Sequence, residues 1–247
     1  MLEFTDTGQG PALVLLHGAG VDLDLWAPQM AAYSAQYRVI ALNLPGHGDS
    51  PWVTDGVPGM TDAVIETLDT LRIGRFAVIG LSLGGMVGLE IAARWADRTS
   101  HLILVESVPY VASTSWAKGL FELALLPLRM IPPAMMAKLP NTSMGAQTKA
   151  AGQYVKGAMA KMDRVTPHRI LRAALHYDGR PRLVQVRAPT LVMVGQHNRA
   201  THRRAQEAAS GIKAAQFEVV RGAGHILNRD AAAYFTDRTL RFLRQVT

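Results

Sequence analysis

Cysteine is absent from the 247-residue chain, which excludes disulfides, thiol catalysis and thiolate metal sites together and leaves stability to packing. The N-terminal MLEFTDTGQGP carries early acids and lacks a basic segment followed by an apolar run. No secretory signal is therefore expected, and a cytoplasmic location is the default. Long apolar runs are missing as well. The most apolar later stretch, Gly119 to Met136, is broken by Glu122, Pro127, Arg129, Pro132 and Pro133, whereas a membrane-spanning helix needs about 20 consecutive apolar residues. A soluble lid is expected there, and no transmembrane segment. The chain has no low-complexity tract, no solenoid-length repeat and no basic patch interleaved with aromatics, so a nucleic-acid partner is not expected. No pair of its histidines has the helical spacing and carboxylate of a metal site, and neither a metal nor a cofactor is expected. Nothing in it specifies an oligomeric state.

The apolar share of 49% and charged share of 18% are those of a globular domain, and the length suits one large core with a small insertion. Short apolar runs bounded by turn residues recur at Ala12 to Leu16, Tyr37 to Leu42, Phe76 to Ile79, His101 to Val105, Thr190 to Val194 and Phe217 to Val220. Near-continuous runs of this kind are what strands buried on both faces look like. Helical patterns lie between them, at Asp62 to Leu71, Met86 to Trp95, Arg203 to Ala209 and Ala231 to Leu243. The alternation predicts an α/β fold with a mostly parallel sheet covered by helices on both faces.

From 109 to 179 the alternation fails, and Met, Pro, Ala and Lys dominate. A helical cap is predicted there, with residues 1–108 and 180–247 forming the core. Ligand crevices of open α/β sheets lie beyond the carboxyl ends of the strands, so the cap should roof the site. Leu120, Phe121, Leu125, Leu128, Met130, Met135 and Met136 have two open roles: lining an acyl pocket or packing the cap down. The net charge of +7 is concentrated in the same region, because residues 107 to 187 hold an excess of +9. Such an excess suits anionic substrates, acidic carriers or headgroups, and equally a solvated basic face.

Gly80-Leu81-Ser82-Leu83-Gly84-Gly85 is a G-x-S-x-G segment between a strand pattern and a helix pattern. A serine on so sharp a turn is forced outward, the glycines relieve crowding, and the helix N-terminus offers N–H donors to a developing oxyanion. Ser82 is the candidate nucleophile. Gly222-Ala223-Gly224-His225 falls between the last strand pattern and the last helix pattern. His225 is the candidate general base, since a serine hydroxyl needs an imidazole to take its proton.

These segments, in this order, resemble the α/β-hydrolase family of esterases and lactonases over nearly the whole chain. His17-Gly18-Ala19-Gly20 is similar to the family's HG turn, and by that resemblance the Ala19 and Leu83 N–H groups would form the oxyanion hole. Leu44-Pro45-Gly46-His47-Gly48-Asp49-Ser50 and Trp26 also resemble family features, read here as structural. The family's usual acid position reads Gly195-Gln196-His197-Asn198. Asn198 accepts a hydrogen bond without bringing a charge, and an Asp-to-Asn exchange in a serine-protease triad costs about 10⁴ in turnover. Glu106, after the run His101 to Val105, offers a replacement. Some relatives, including a branch of the haloalkane dehalogenases, place the acid there, and the segment is similar to theirs. Their reaction is disfavoured because it uses an aspartate nucleophile.

The expectation is a serine hydrolase of carboxylic esters or lactones, with Ser82, His225 and Glu106 as triad. A small-molecule ester, lactone or thioester is the expected partner. Two alternatives stay open: a thioesterase or acyltransferase for CoA- or carrier-bound acyl groups, motivated by the basic cap, and a ligand-binding protein on a disabled scaffold, motivated by Asn198.

Overall fold

The computed structural model describes residues 1–53, 55–129, 135, 138–163 and 165–245. Its sheet has seven strands, β1 (Phe4–Thr7), β2 (Ala12–Leu16), β3 (Arg38–Leu42), β4 (Phe76–Leu81), β5 (Thr99–Val105), β6 (Thr190–Gly195) and β7 (Ala215–Val220). They run in the order β1-β3-β2-β4-β5-β6-β7. All neighbours pair parallel except β1, which lies antiparallel on β3.

Period-2 alternation explains why the central strands read as unbroken apolar runs. In β2, Val14 and Leu16 enter one core while Leu13 and Leu15 enter the other, and in β3 Ile40 and Leu42 part in the same way from Val39 and Ala41. One core is closed by α2 (Gly56–Thr70) and α3 (Leu83–Arg94), the other by α1 (Ala27–Ser34) and the C-terminal helix Ala232–Leu243. Fully burying one Leu or Val in such a core is worth about 1.5–3 kcal/mol, so the sheet is anchored by both faces at once. Trp26 is fully buried and stacks on Phe235 at 6.2 Å, which makes its role structural.

Between β5 and β6 the chain leaves the sheet. It forms α4 (Ser115–Leu125), α5 (Lys149–Ala160) and α6 (Thr166–His176). Thr114 and Thr148 cap the first two through their side chains, accepting from the N–H groups of Ala117 and Ala151, and Pro167 occupies the first turn of the third. The two ends of the excursion meet in a bridge between Tyr110 and Asp178, and the Gly179 N–H donates to the Pro109 carbonyl at 2.6 Å. A final long helix before the last strand, α7, runs Arg199–Gly211.

The sequence patterns located six of the seven strands. β1 escaped because only Phe4 of its four residues is apolar; its pairing follows from the free edge of β3, reinforced by an Asp6–Arg38 ion pair at 2.6 Å. Among the described residues no helix is long and apolar enough to cross a membrane.

Candidate functional site

Four adjacent strands end on the same side, and each delivers one candidate residue. Ser82 follows β4, Glu106 follows β5, Asn198 lies three residues past the end of β6, and His225 lies five past β7. Parallel order puts all four at one end of the sheet and brings Glu106, Asn198 and His225, up to 119 positions apart (106 to 225), within 3.6 Å of one another.

Ser82 sits in a backbone conformation of φ 54°, ψ −111°, which L side chains rarely adopt and which the surroundings must impose. Its N–H donates to the Val105 carbonyl at 2.8 Å, and its own carbonyl accepts from Gly85 N–H at 3.0 Å and from the Ser107 hydroxyl at 2.9 Å. Two glycines make this turn possible. A Cβ on Gly80 would stand against the Gly84 carbonyl, and one on Gly84 against the Leu16 carbonyl. The Ser82 hydroxyl has no hydrogen-bond partner among the described residues, and neither do the backbone N–H groups of Ala19 and Leu83.

Glu106 also has a positive φ, 49°, and only 2% of it is exposed. Its carboxylate accepts from the Gly195 N–H, from Asn198 Nδ2 at 2.6 Å and from the Thr201 hydroxyl at 2.9 Å. A buried carboxylate needs such donors to offset the water it has lost. Oε2 of Glu106 lies 3.6 Å from Nδ1 of His225, and Asn198 Nδ2 lies 2.9 Å from that same Nδ1. The carboxylate and the amide, alternatives in the sequence, therefore both face the imidazole, but only the amide is within hydrogen-bond distance of it.

His17 and His47 stay out of this assembly. His17 is fully buried, donates from Nδ1 to the Gly18 carbonyl and accepts at Nε2 from Leu44 N–H; burial pushes its pKa down to about 4. His47 accepts from Gly20 N–H at 3.2 Å, and burial together with the neighbouring His17 pushes it down to about 3. Both are neutral pins for the loop that carries Ala19.

A cavity of about 150 Å³ lies beside the candidate base. On the sheet side it is lined by Gly18, Ala19, Leu81 and His225, and on the other side by Leu139, Met144, Val155 and Met159. Among the described side chains, none of the apolar residues expected to line or pack the cap lines this cavity. Leu120, Phe121 and Met135 are exposed and Leu125 is half-buried, and α4 packs against α6. Met130 and Met136 fall outside the described residues.

Sequence reasoning also missed how His225 is held. The Gly145 carbonyl accepts from the His225 N–H at 2.7 Å. The Asp230 carboxylate accepts from Gln147 N–H, Thr148 N–H and Gly224 N–H at 2.9–3.1 Å. No local pattern announces such contacts. Thr201 had one signal, its position three residues after Asn198 on the first turn of α7, which puts both side chains on one face.

A mostly parallel sheet with a strained serine turn at the carboxyl end of one strand, two unpartnered N–H groups beside it and an imidazole at the same end of the sheet three strands away defines a recognisable class. The model of the alpha/beta hydrolase family matches residues 13–238, and the chain belongs to that family. Its solved relatives include the enol-lactonase of Burkholderia xenovorans LB400, 27% identical, with a TM-score of 0.87 over 99% of this chain and 96% of that one. In sequence, a putative carbamate hydrolase of Rhizobium rhizogenes is 27% identical over 97% of this chain and 95% of its own length. A pimeloyl-[acyl-carrier protein] methyl ester esterase of Nitrosomonas europaea is 35% identical, over 50% of this chain and only 48% of that esterase.

Proposed function

We propose that the protein is a serine hydrolase of carboxylic esters or lactones with compact, apolar acyl groups. The observation that carries this is the convergence at one sheet end of the strained Ser82 turn, the free Ala19 and Leu83 N–H groups and His225 beside Glu106. In the first half-reaction Ser82 Oγ attacks the carbonyl carbon while His225 takes its proton. The carbonyl electron pair moves onto oxygen, where the Ala19 and Leu83 N–H groups stabilise it. Collapse expels the alcohol, which leaves with the proton from His225, and water repeats the sequence to release the acid. Glu106 stabilises the transient imidazolium. The scheme uses no cofactor or metal.

The segment 109–179 acts as the cap in this reading, since Leu139, Met144, Val155 and Met159 close the cavity opposite His225. A cavity of roughly 150 Å³ is the size that accommodates a benzene-sized group. That supports a compact acyl group over a long carrier-bound chain. Of the twelve basic residues in 107–187 that motivated a carrier substrate, five have an ion-pair partner among the described residues: Lys161 with Asp22, Arg172 with Glu122, Arg180 with Asp178, Arg182 with Glu90 and Arg187 with Asp97.

The test is a panel of short- and long-chain esters, lactones and thioesters, read for wild type, Ser82→Ala and Glu106→Gln. Short esters or lactones should be preferred, Ser82→Ala should be inactive, and Glu106→Gln should lose about 10³–10⁴ in turnover. Activity that survives Ser82→Ala ends the mechanism. Failure of folded wild-type protein to react with a fluorophosphonate would favour a ligand-binding role instead.

A further inference from the structure

We infer that Asn198 is a positioning residue that holds the resting His225 imidazole in its Nε2–H tautomer, so that proton transfer waits on a tautomer exchange through water and a small movement of the ring onto Glu106. This rests on the reading of Ser82, His225 and Glu106 as the reacting set. Asn198 stands at the N-cap of α7, yet its side chain makes no capping bond there. It turns instead into the gap between Glu106 and His225, with Nδ2 at 2.6 Å from the carboxylate and 2.9 Å from Nδ1.

The orientation of the amide follows from the carboxylate. An ionised carboxylate is acceptor-only, so it selects the NH₂ end of Asn198; the carbonyl end would set two acceptors against each other. The NH₂ group has two hydrogens. One goes to Glu106 Oε2 and the other faces Nδ1, which must then present its lone pair. A neutral imidazole accepting at Nδ1 carries its proton on Nε2. This is the reverse of His17, where Nδ1 lies against a carbonyl and Nε2 accepts from an N–H.

The consequence is mechanistic. With Nε2 protonated, His225 has no lone pair for the Ser82 proton. To act, the ring must take a proton at Nδ1 from solvent water and release its Nε2 proton to solvent water, leaving its charge unchanged. The new Nδ1–H then conflicts with the Asn198 donor and turns to Glu106. The gap of 3.6 Å needs to close to about 2.8 Å for a charge-assisted bond, a shift that the ring and the amide can share. Asn198 therefore sets the fraction of enzyme that is ready to react.

Nitrogen-detected NMR of the His225 ring at neutral pH reads the tautomer directly, in wild type and in Asn198→Ala. The expected result is Nε2–H in wild type and Nδ1–H in Asn198→Ala. Turnover should rise about tenfold in the variant, the worth of one ordinary hydrogen bond. The same tautomer in both proteins, whichever it is, overturns the inference. Should Asn198→Ala fail to fold, the double variant Glu106→Gln/Asn198→Asp serves: it puts the charge directly on Nδ1, and must show Nδ1–H and recover at least tenfold over Glu106→Gln. No recovery overturns the inference. Fluorophosphonate labelling of Ser82 in wild type separates the two failures, because absent labelling sinks the hydrolase reading and intact labelling confines the failure to Asn198.

Discussion

The two halves of the excursion between β5 and β6 behave as different materials. The later half, from Asn141 through α5, is fastened to the core: the Gly145 carbonyl holds the His225 N–H, Asp230 gathers Gln147, Thr148 and Gly224, and Tyr154 bonds Asp22 at 2.7 Å. Ala146, Ala151 and Val155 enter the core beneath it. The earlier half, α4, has no buried residue at all, and Trp116 and Leu123 are 71% and 63% exposed. A helix can be equally apolar in composition and contribute nothing to the core. Burial decides its worth, and the later half has it because it is tied to the candidate base.

That contrast is open to attack by mutation. The largest effect is expected for Gly145→Val. Gly145 has φ 76°, and a Cβ there would lie 2.5 Å from the His225 Cβ. The left-handed conformation alone costs a branched residue about 1–3 kcal/mol, and a displacement of His225 by about 1 Å should lower kcat/KM on the order of 10²-fold. Steady-state kinetics and thermal unfolding on one preparation check both. Unchanged kinetics would mean that the fastening is incidental to the site.

Acidification should give the next effect, acting on the loop that α5 leans against. His17 and His47 are neutral in the fold, with pKa values lowered to about 4 and about 3, while in the unfolded chain both titrate near 6.5. The unfolded state therefore binds more protons as the pH falls below about 6.5, and native stability drops by up to about 1.4 kcal/mol per pH unit for each histidine until the folded pKa is reached. Their contribution is fully present above about 6.5. Urea denaturation at pH 7.5 and 5.5 should show it, with a flatter dependence in His47→Gln. A pH-independent midpoint would contradict the buried neutral assignment.

The smallest effect belongs to α4. Leu123→Ser should change stability by no more than about 0.5 kcal/mol, as surface substitutions do. A loss above about 2 kcal/mol would show that this face is covered in solution, and would erase the difference between the two halves.

Much of this was legible in advance, for local reasons. The runs at Leu13 to Leu16 and Leu191 to Val194 announce strands buried on both faces, and the glycines around Ser82 announce a turn that tolerates no side chain at Gly84. Glu106 was legible as a carboxylate at a strand end. Its partners were not: Gly195, Asn198 and Thr201 lie 89 to 95 residues away, and nothing in the local sequence ranks one distant donor above another. The cavity beside His225 went the same way, because nothing in the local sequence tells Met144 and Val155, which line it, from Leu120 and Phe121, which do not.

The sequence by itself determined the elements, the serine turn and the residues that each strand delivers, since periodicity and backbone sterics act within a few positions. Strand order and the path of the insertion decided the rest. They put Glu106 and His225 3.6 Å apart, slid the Asn198 amide between them and bound Gly145 to the histidine's backbone. Hydrogen bonds form across space, and only the packed fold fixes which distant donors and acceptors come within their reach.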